Sequence, residues 1–315
     1  MEINRQKSGA ANFVRTIYIE KKQISKQNTD FVEEPWLSQA TTYDLNGRKI
    51  EDIYYNVDNS QRSKTAFTYD VDGKLAVKTY YKGVGVLSGK SAYTYDEQNR
   101  LIEEVLYTAD GYPTERKLSA YDIEGRRVEE FSPDQSEGNS FALKGAIYTA
   151  EGARKIQSIY NAEGDLAEVL FYDASDSLIS KVSFSYDAEG NLIEDAQYVG
   201  DSFFKEEEPT LAGLFSAETP FFRRVYLYDM RGNKVEENIY LAGSLGRKKT
   251  FIYDPNGNLL EEAEYEADGS LIGKVSFHRE FNDQGDWVKE IVSKCDITTN
   301  EFEPVIVTYR TITYY

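Results

Sequence analysis

The chain has 315 residues, a net charge of −18 and one cysteine. Such an acidic chain is a poor partner for nucleic acids and anionic membranes, whose phosphates bind clustered Lys and Arg. Cys295 alone cannot form an intrachain disulfide, and its thiol is interpreted as a buried structural group. No apolar run approaches the roughly 20 residues of a membrane span, so no membrane insertion is expected.

The N-terminal segment, residues 1–42, is expected to form capping strands. Phe13 to Glu20 alternates between apolar and polar residues, as a strand does, and we expect it to pair with Asp30 to Thr42. The first eleven residues are polar and lack the apolar core of a signal peptide. Either a cytoplasmic protein or the mature form of an exported one fits this beginning.

Residues 43–290 contain a repeat of about 26 residues. Tyr43, Tyr69, Tyr95 and Tyr121 each precede an Asp and lie 26 residues apart. Gly usually follows three residues after the Asp, and Asn99 replaces it once, which indicates a left-handed backbone position. The pattern predicts a type I turn with a G1 bulge, capped by the Asp side chain. The predicted turn residues are Asp44, Gly47, Asp70, Gly73, Asp187, Gly190, Asp229, Gly232, Asp254 and Gly257.

Each repeat continues with an apolar pair, acidic residues, a second Tyr, a second turn and a strand with aromatic residues two apart. Two strands and two turns per repeat predict an all-β fold, a repeat array of antiparallel β-hairpins forming an extended, twisted or spiralling sheet. Whether that sheet is open or closed is not determined. If the second turns are three-residue loops, oppositely charged residues face each other across three hairpins: Glu104 and Arg116, Asp52 and Lys64, and Glu262 and Lys274.

An insertion at residues 199–224 interrupts the array. It is predicted to be a packed excursion or a short helix around Leu211 to Phe215, or else a partner-binding loop. Residues 291–315 are β-prone, lack the repeat and are expected to form a C-terminal capping strand. The aromatic residues of a possible binding surface are Phe203, Phe204, Phe221, Phe222, Tyr226, Tyr228, Phe251 and Tyr253.

The repeated run of Tyr-Asp-x-x-Gly followed by Asn, Arg or Lys and an aliphatic residue resembles the YD repeat of bacterial RHS and wall-associated proteins. Residues 186–192 and 253–259 show it most fully, and the resemblance covers about residues 40–290. It implies spiralling sheets of β-hairpins and a protein that is exported or surface-exposed, hence a periplasmic or extracellular location.

The side chains that carry chemistry give no catalytic or metal pattern. His278 is the only histidine, so a His-based metal cluster is excluded. Acid pairs such as Glu103 and Glu104 recur in many repeats, and adjacent strand residues point to opposite faces, so neither acid has a partner for glycoside hydrolysis. Asp70 to Gly73 resembles the start of a calcium loop, but the downstream Glu is missing in register. We therefore predict no cofactor and no metal.

These observations favour a non-enzymatic interaction or scaffold protein with a protein or glycan partner. Two alternatives stay open: a carbohydrate-binding module that uses the aromatic rows, and a hydrolase with an acid pair near residues 199–224. The ligand and the oligomeric state are not determined by the sequence.

Overall fold

The computed structural model describes residues 14–23, 36–131, 140–142, 149–151, 153–199 and 219–315. Within these ranges every regular element is a β-strand, so the all-β antiparallel prediction is confirmed. This part of the chain has no helix with the length and apolar character needed to cross a bilayer. The strands are β1 (Val14–Gln23), β2 (Trp36–Tyr43), β3 (Lys49–Tyr55), β4 (Gln61–Tyr69), β5 (Leu75–Lys82), β6 (Val86–Tyr95), β7 (Leu101–Thr108), β8 (Pro113–Tyr121), β9 (Arg127–Phe131), β10 (Ser140–Ala142), β11 (Thr149–Glu151), β12 (Lys155–Tyr160), β13 (Leu166–Tyr172), β14 (Leu178–Tyr186), β15 (Leu192–Val199), β16 (Phe222–Tyr228), β17 (Lys234–Leu241), β18 (Ser244–Tyr253), β19 (Leu259–Glu266), β20 (Leu271–Phe281), β21 (Trp287–Asp296) and β22 (Glu301–Tyr314).

Twenty of these strands form one closed sheet. Chain neighbours pair from β1 to β9, β9 pairs with β12, and pairing continues in order to β22. β22 then returns to β1, where Ile312 lies opposite Ile17. β10 and β11 form a separate pair. Closure leaves none of the twenty strands with an unpaired edge, which removes the template for association that an open repeat sheet presents.

The terminal segments expected as caps meet at the seam of this closed sheet. β1 pairs with β2, with Thr16 opposite Thr42, and on its other side with β22. On its other side, β22 pairs with β21. The expected partner of β1 is Asp30 to Thr42. Residues 30–35 of that partner belong to the stretch 24–35, which lies outside the described residues.

The turns divide into two rims. Every second turn lies at one end of the sheet, which we call the YD rim because most of these turns begin with Tyr-Asp. The turns of the YD rim are residues 44–48, 70–74, 96–100, 122–126, 161–165, 187–191, 229–233, 254–258 and 282–286. The second turns and the longer connections leave from the opposite rim. Residues 200–218 of the expected insertion, with its predicted helix, lie outside the described residues.

The two faces of the sheet differ in burial. Val169, Phe171 and Val182 are fully buried on one face, and Asp195 shares that face. We call it the buried face and the other the exposed face. The largest apolar cluster covers β12 to β14, with Phe184 and Phe222 packed against it. Successive side chains of a strand therefore point alternately to the buried face and to the exposed face.

The predicted charge register was wrong by one residue. Glu104 lies opposite Lys117, and Arg116 lies opposite Val105. The reason is a bulge in the strand just beyond the second turn: Tyr107 lies opposite Pro113 but Leu106 lies opposite Glu115, so Thr114 is an extra residue in β8. The extra residue of a bulge shifts the pairing by one. The same shift places Lys64 opposite Ile53 and Lys274 opposite Ala263.

Candidate functional site

The Tyr-Asp turns are held by the carboxylate at their start. Asp187 Oδ1 accepts the backbone N–H groups of Glu189 at 3.1 Å and Asn191 at 2.8 Å, and Gly190 has φ 82°. The side-chain hydrogen bond from Asn191, opposed by desolvation and joined by the backbone bonds, lowers the pKa of Asp187. The other predicted turn residues occupy equivalent positions: Asp44 with Gly47, Asp70 with Gly73, Asp229 with Gly232, and Asp254 with Gly257.

The tyrosine before each turn bonds to the preceding repeat. The Tyr95 hydroxyl donates to the Leu75 carbonyl at 2.9 Å, and Tyr186 donates to Leu166 at 2.9 Å. These bonds join neighbouring strands that belong to consecutive repeats, so each repeat is tied to the one before it. The same bond to a carbonyl is made by Tyr69, Tyr121, Tyr160 and Tyr228.

Basic residues cover several of these rings at the YD rim. The Arg100 guanidinium is ion-paired with Asp96 at 2.7 Å and lies over the Tyr121 ring, 4.8 Å from its centroid. Cation–π contact and ion pair together fix the side chain. The equivalent contacts are Arg48 over Tyr69, Lys74 over Tyr95 and Arg126 over Tyr160.

The recurring acid pairs serve both faces of the sheet. The first acid pairs diagonally with a base on the exposed face, as Glu103 does with Arg116 and Glu261 with Lys274 at 2.8 Å. The second acid lies on the buried face, eight residues after the Asp or Asn that begins the turn. It forms an ion pair with a base on that face. These buried-face pairs are Asp52 with Lys49, Glu130 with Arg127, Asp195 with Arg224, Glu237 with Lys234, Glu262 with Lys249 and Glu290 with Arg279.

The exposed-face bases also cover the second tyrosine of the next strand. Lys181 lies between Glu168, at 3.5 Å, and the Tyr198 ring, 4.6 Å from its centroid. An acid, a base and a ring thus link three consecutive strands. The same triples are Glu51, Lys64 and Tyr81; Glu194, Arg223 and Tyr240; and Glu236, Lys248 and Tyr265.

The most buried charge of the described residues is Asp195, at 1% exposure. It pairs with Arg224 at 2.8 Å and accepts the Tyr226 hydroxyl at 2.5 Å. Burial, and then the hydrogen bond to Asp195, raise the pKa of Tyr226 well above its usual range. Because its oxygens are committed to two neighbours, this carboxylate anchors β16 on β15.

The structure describes six of the eight aromatic residues predicted as a possible binding surface. Five of them lie on the buried face, and Phe221 is partly exposed just before β16. The Tyr228 hydroxyl bonds to the Leu192 carbonyl, and Lys234 covers the Phe251 ring at 4.7 Å. Phe203 and Phe204 lie outside the described residues. The five on the buried face are Phe222, Tyr226, Tyr228, Phe251 and Tyr253.

Sequence reasoning missed a set of apolar residues at the tips of the YD rim. Val71, Ile123 and Met230 are almost fully exposed, and Leu45 is 63% exposed. Each directly follows the turn Asp, at a position that the type I turn leaves pointing into solvent. The sequence does contain a signal for these residues. Glu97 occupies the same position in another repeat, which shows that the turn itself needs no apolar residue there.

The residues considered for catalysis or metal binding lie apart. His278 is exposed on β20 and Cys295 is buried on β21. In the part of the chain that the structure describes, no group of three or more His, Cys, Asp or Glu side chains is placed to hold a metal ion.

Comparison with known proteins gives structural neighbours only. No protein family and no curated protein matches the chain. It is similar to the crystal structure of TcdB2-TccC3-TEV, at 12% identity and a TM-score of 0.33, over 95% of this chain and 17% of that one. It is also similar to a porin-like protein from Bacteroides uniformis, at 12% identity and a TM-score of 0.34, over 96% and 98% of the two chains. A porin-like protein from Bacteroides vulgatus is another neighbour, at 11% identity and a TM-score of 0.22, over 97% and 99%. The chain thus spans about a sixth of the toxin chain that it matches.

Proposed function

We propose that this chain is a non-enzymatic interaction protein of the RHS/YD-repeat type, exported or surface-associated, which binds a protein partner through the tips of its YD rim. The observation that supports it is the exposure of Leu45, Val71, Ile123 and Met230 on rigid turns. Apolar side chains so exposed add nothing to the packing of the fold, whereas they are the side chains that gain most from burial in an interface.

The spacing of the tips suits a broad contact. Neighbouring hairpins in the sheet place their turns about 10 Å apart, which is two strand separations. Leu45 and Val71 lie on consecutive hairpins, and Ile123 lies two hairpins further on. An arc of this kind fits the surface of another protein better than a small molecule, which is held in a concave site.

The test compares two variants that carry the same change of charge. The YD-rim variant is L45E/V71E/I123E/M230E, and the control at the opposite rim is V57E/V84E/Y112E/I297E, whose residues are also exposed. Wild-type protein is used to capture partners from the cells that produce it, and the captured protein is then purified. Its Kd for the YD-rim variant should rise at least about 30-fold, the effect of losing a 2 kcal/mol hot spot.

In the same measurement the control should bind like the wild type. Equal binding by the YD-rim variant, or equal loss in both variants, would remove the proposal. Fractionation of the producing cells tests the exported location separately.

Carbohydrate binding is the alternative proposal and has less support. Stacking on sugars needs a free ring face, but cations already cover rings in both tyrosine rows, for example Tyr121 and Tyr198. Screening of immobilised glycans tests it. The Tyr198→Ala variant keeps the covering base Lys181. Loss of glycan retention in this variant would favour carbohydrate binding over the protein partner.

A further inference from the structure

The row of tyrosine-to-carbonyl bonds changes at the seam. In most repeats the carbonyl of the first strand residue after a YD turn accepts a tyrosine hydroxyl, as the Leu75 carbonyl accepts Tyr95. Trp287 holds that position after the last turn, and its carbonyl accepts Arg310 Nη1 at 3.4 Å instead. The Tyr314 hydroxyl is used elsewhere, because it donates to Asp286 at 2.6 Å.

Arg310 is also bound differently from Arg48, Arg100 and Arg126, each of which is ion-paired with the Asp of its own turn at the YD rim. Its guanidinium lies over the Trp287 ring, 4.5 Å from the centroid. Arg100, stacked in the same way on Tyr121, is neutralised by Asp96. For Arg310, no carboxylate of the described residues lies within ion-pair distance. Burial lowers its pKa, with Asp286, Tyr43 and Tyr314 opposing that shift.

A guanidinium has five N–H donors in a planar fork. One donates to the Trp287 carbonyl, the guanidinium carbon lies 4.5 Å from the centre of the indole, and the outer edge of the fork meets no second acceptor among the described residues. A carboxylate can accept two parallel N–H groups from such an edge. The net charge of −18 favours a singly charged carboxylate over a dianion such as phosphate.

We propose that Arg310 and Trp287 form a subsite that binds a carboxylate group of a small ligand. The site lies on the buried face at the YD rim, where β22 and β21 meet β1 and β2. It is independent of the rim tips, so loss of protein binding by the YD-rim variant would leave it untouched.

The indole provides the readout. The chain has two tryptophans, so Trp287 is the sole emitter in a Trp36→Phe background. Sodium acetate is the probe, with sodium chloride at equal ionic strength as the reference and sodium phosphate as the dianion arm. A saturable change in Trp287 emission is expected with acetate, with weaker binding of phosphate.

Two substitutions locate the effect. R310M should weaken acetate binding at least about 10-fold, the loss of one charge-assisted bond, and R310K should bind with intermediate strength because it keeps the charge without the fork. R100M is the matched control and should bind like its parent.

Several outcomes would overturn the subsite. They are an acetate response no larger than that of chloride, an equal loss in R100M, and tighter binding of phosphate than of acetate. The first of these needs no change at Arg310, so a misfolded R310M does not rescue the proposal.

Discussion

At the scale of single residues, the YD motif is used by the fold itself. The Asp caps its turn, the Gly takes the left-handed position, and the Tyr hydroxyl bonds to the repeat before it, as Asp187, Gly190 and Tyr186 show. The sequence predicts the roles of the Asp and the Gly but not the hydrogen bond of the Tyr hydroxyl. Its bond to Leu166, 20 residues earlier, could not be predicted, because local pattern does not say which carbonyl a ring will reach.

Gly89 gives a prediction at this scale. A Cβ there would lie 2.5 Å from the Tyr107 carbonyl oxygen on the neighbouring strand, and backbone cannot move aside cheaply. We expect Gly89→Ala to lower the free energy of unfolding by about 1–3 kcal/mol. Gly273→Ala is the control, because that strand glycine has no atom within 4 Å of the added carbon. Urea unfolding of both variants checks this, and equal midpoints would contradict it.

At the scale of the element, each hairpin is fixed by its turn and by paired charges on both faces. Sequence pattern located the strands and the acid pairs, but it missed the bulge in the strand that follows the second turn. Arg116 therefore pairs with Glu103 rather than Glu104. A one-residue bulge leaves no clear mark in composition, because Pro113 to Glu115 reads equally well as a regular strand.

The capping carboxylates predict a pH dependence. Side-chain and backbone hydrogen bonds, from Asn191 to Asp187 and equivalently at Asp229 and Asp254, lower the pKa of these acids below the ordinary 3.8. A depressed pKa contributes stability that is complete above the unfolded value and is lost as the pH falls through the folded one. The Tm should therefore fall between about pH 4 and pH 2 as these acids become protonated.

The variant D187N/D229N/D254N should show a smaller fall in Tm over that range. Asn keeps the acceptor oxygen without titrating, as Asn161 already does at 2.7 Å to the Asp165 N–H. The control E97Q/E189Q/D283N makes the same charge change at exposed turn residues. If the control flattens the Tm profile as much as the capping variant does, general charge repulsion and not the caps causes the acid loss.

At the scale of the whole molecule, closure is the decisive feature. The seam between β1 and β22 removes both edges of the array, and it brings together residues almost 300 positions apart, such as Tyr18 and Thr311. The proposed Arg310 subsite lies beside this seam, between the consecutive strands β21 and β22. An antiparallel pair places opposite Cα atoms about 4.5–5.5 Å apart, which is within the range of a disulfide.

Closure can be tested with a pair of cysteines. In a Cys295→Ala background, Tyr18→Cys with Thr311→Cys should form a disulfide in air and raise the Tm, because the closed loop spans nearly the whole chain. Tyr18→Cys with Thr94→Cys is the control, since β6 lies five strands away, about 24 Å. Non-reducing mass spectrometry detects the bond, and an unlinked first pair would show that the sheet is open at this point.

The sequence by itself determined the all-β class, the turns and the two-strand repeat, because these depend on backbone preferences and on alternation within a few residues. The structure decided that the sheet closes, that charges pair diagonally, and that Arg310 lies over Trp287 with no carboxylate of the described residues in ion-pair range. The diagonal pairs depend on a bulge that the local pattern does not mark. Closure depends on contacts between residues almost 300 positions apart, and a local pattern carries no information about which distant strand completes the sheet.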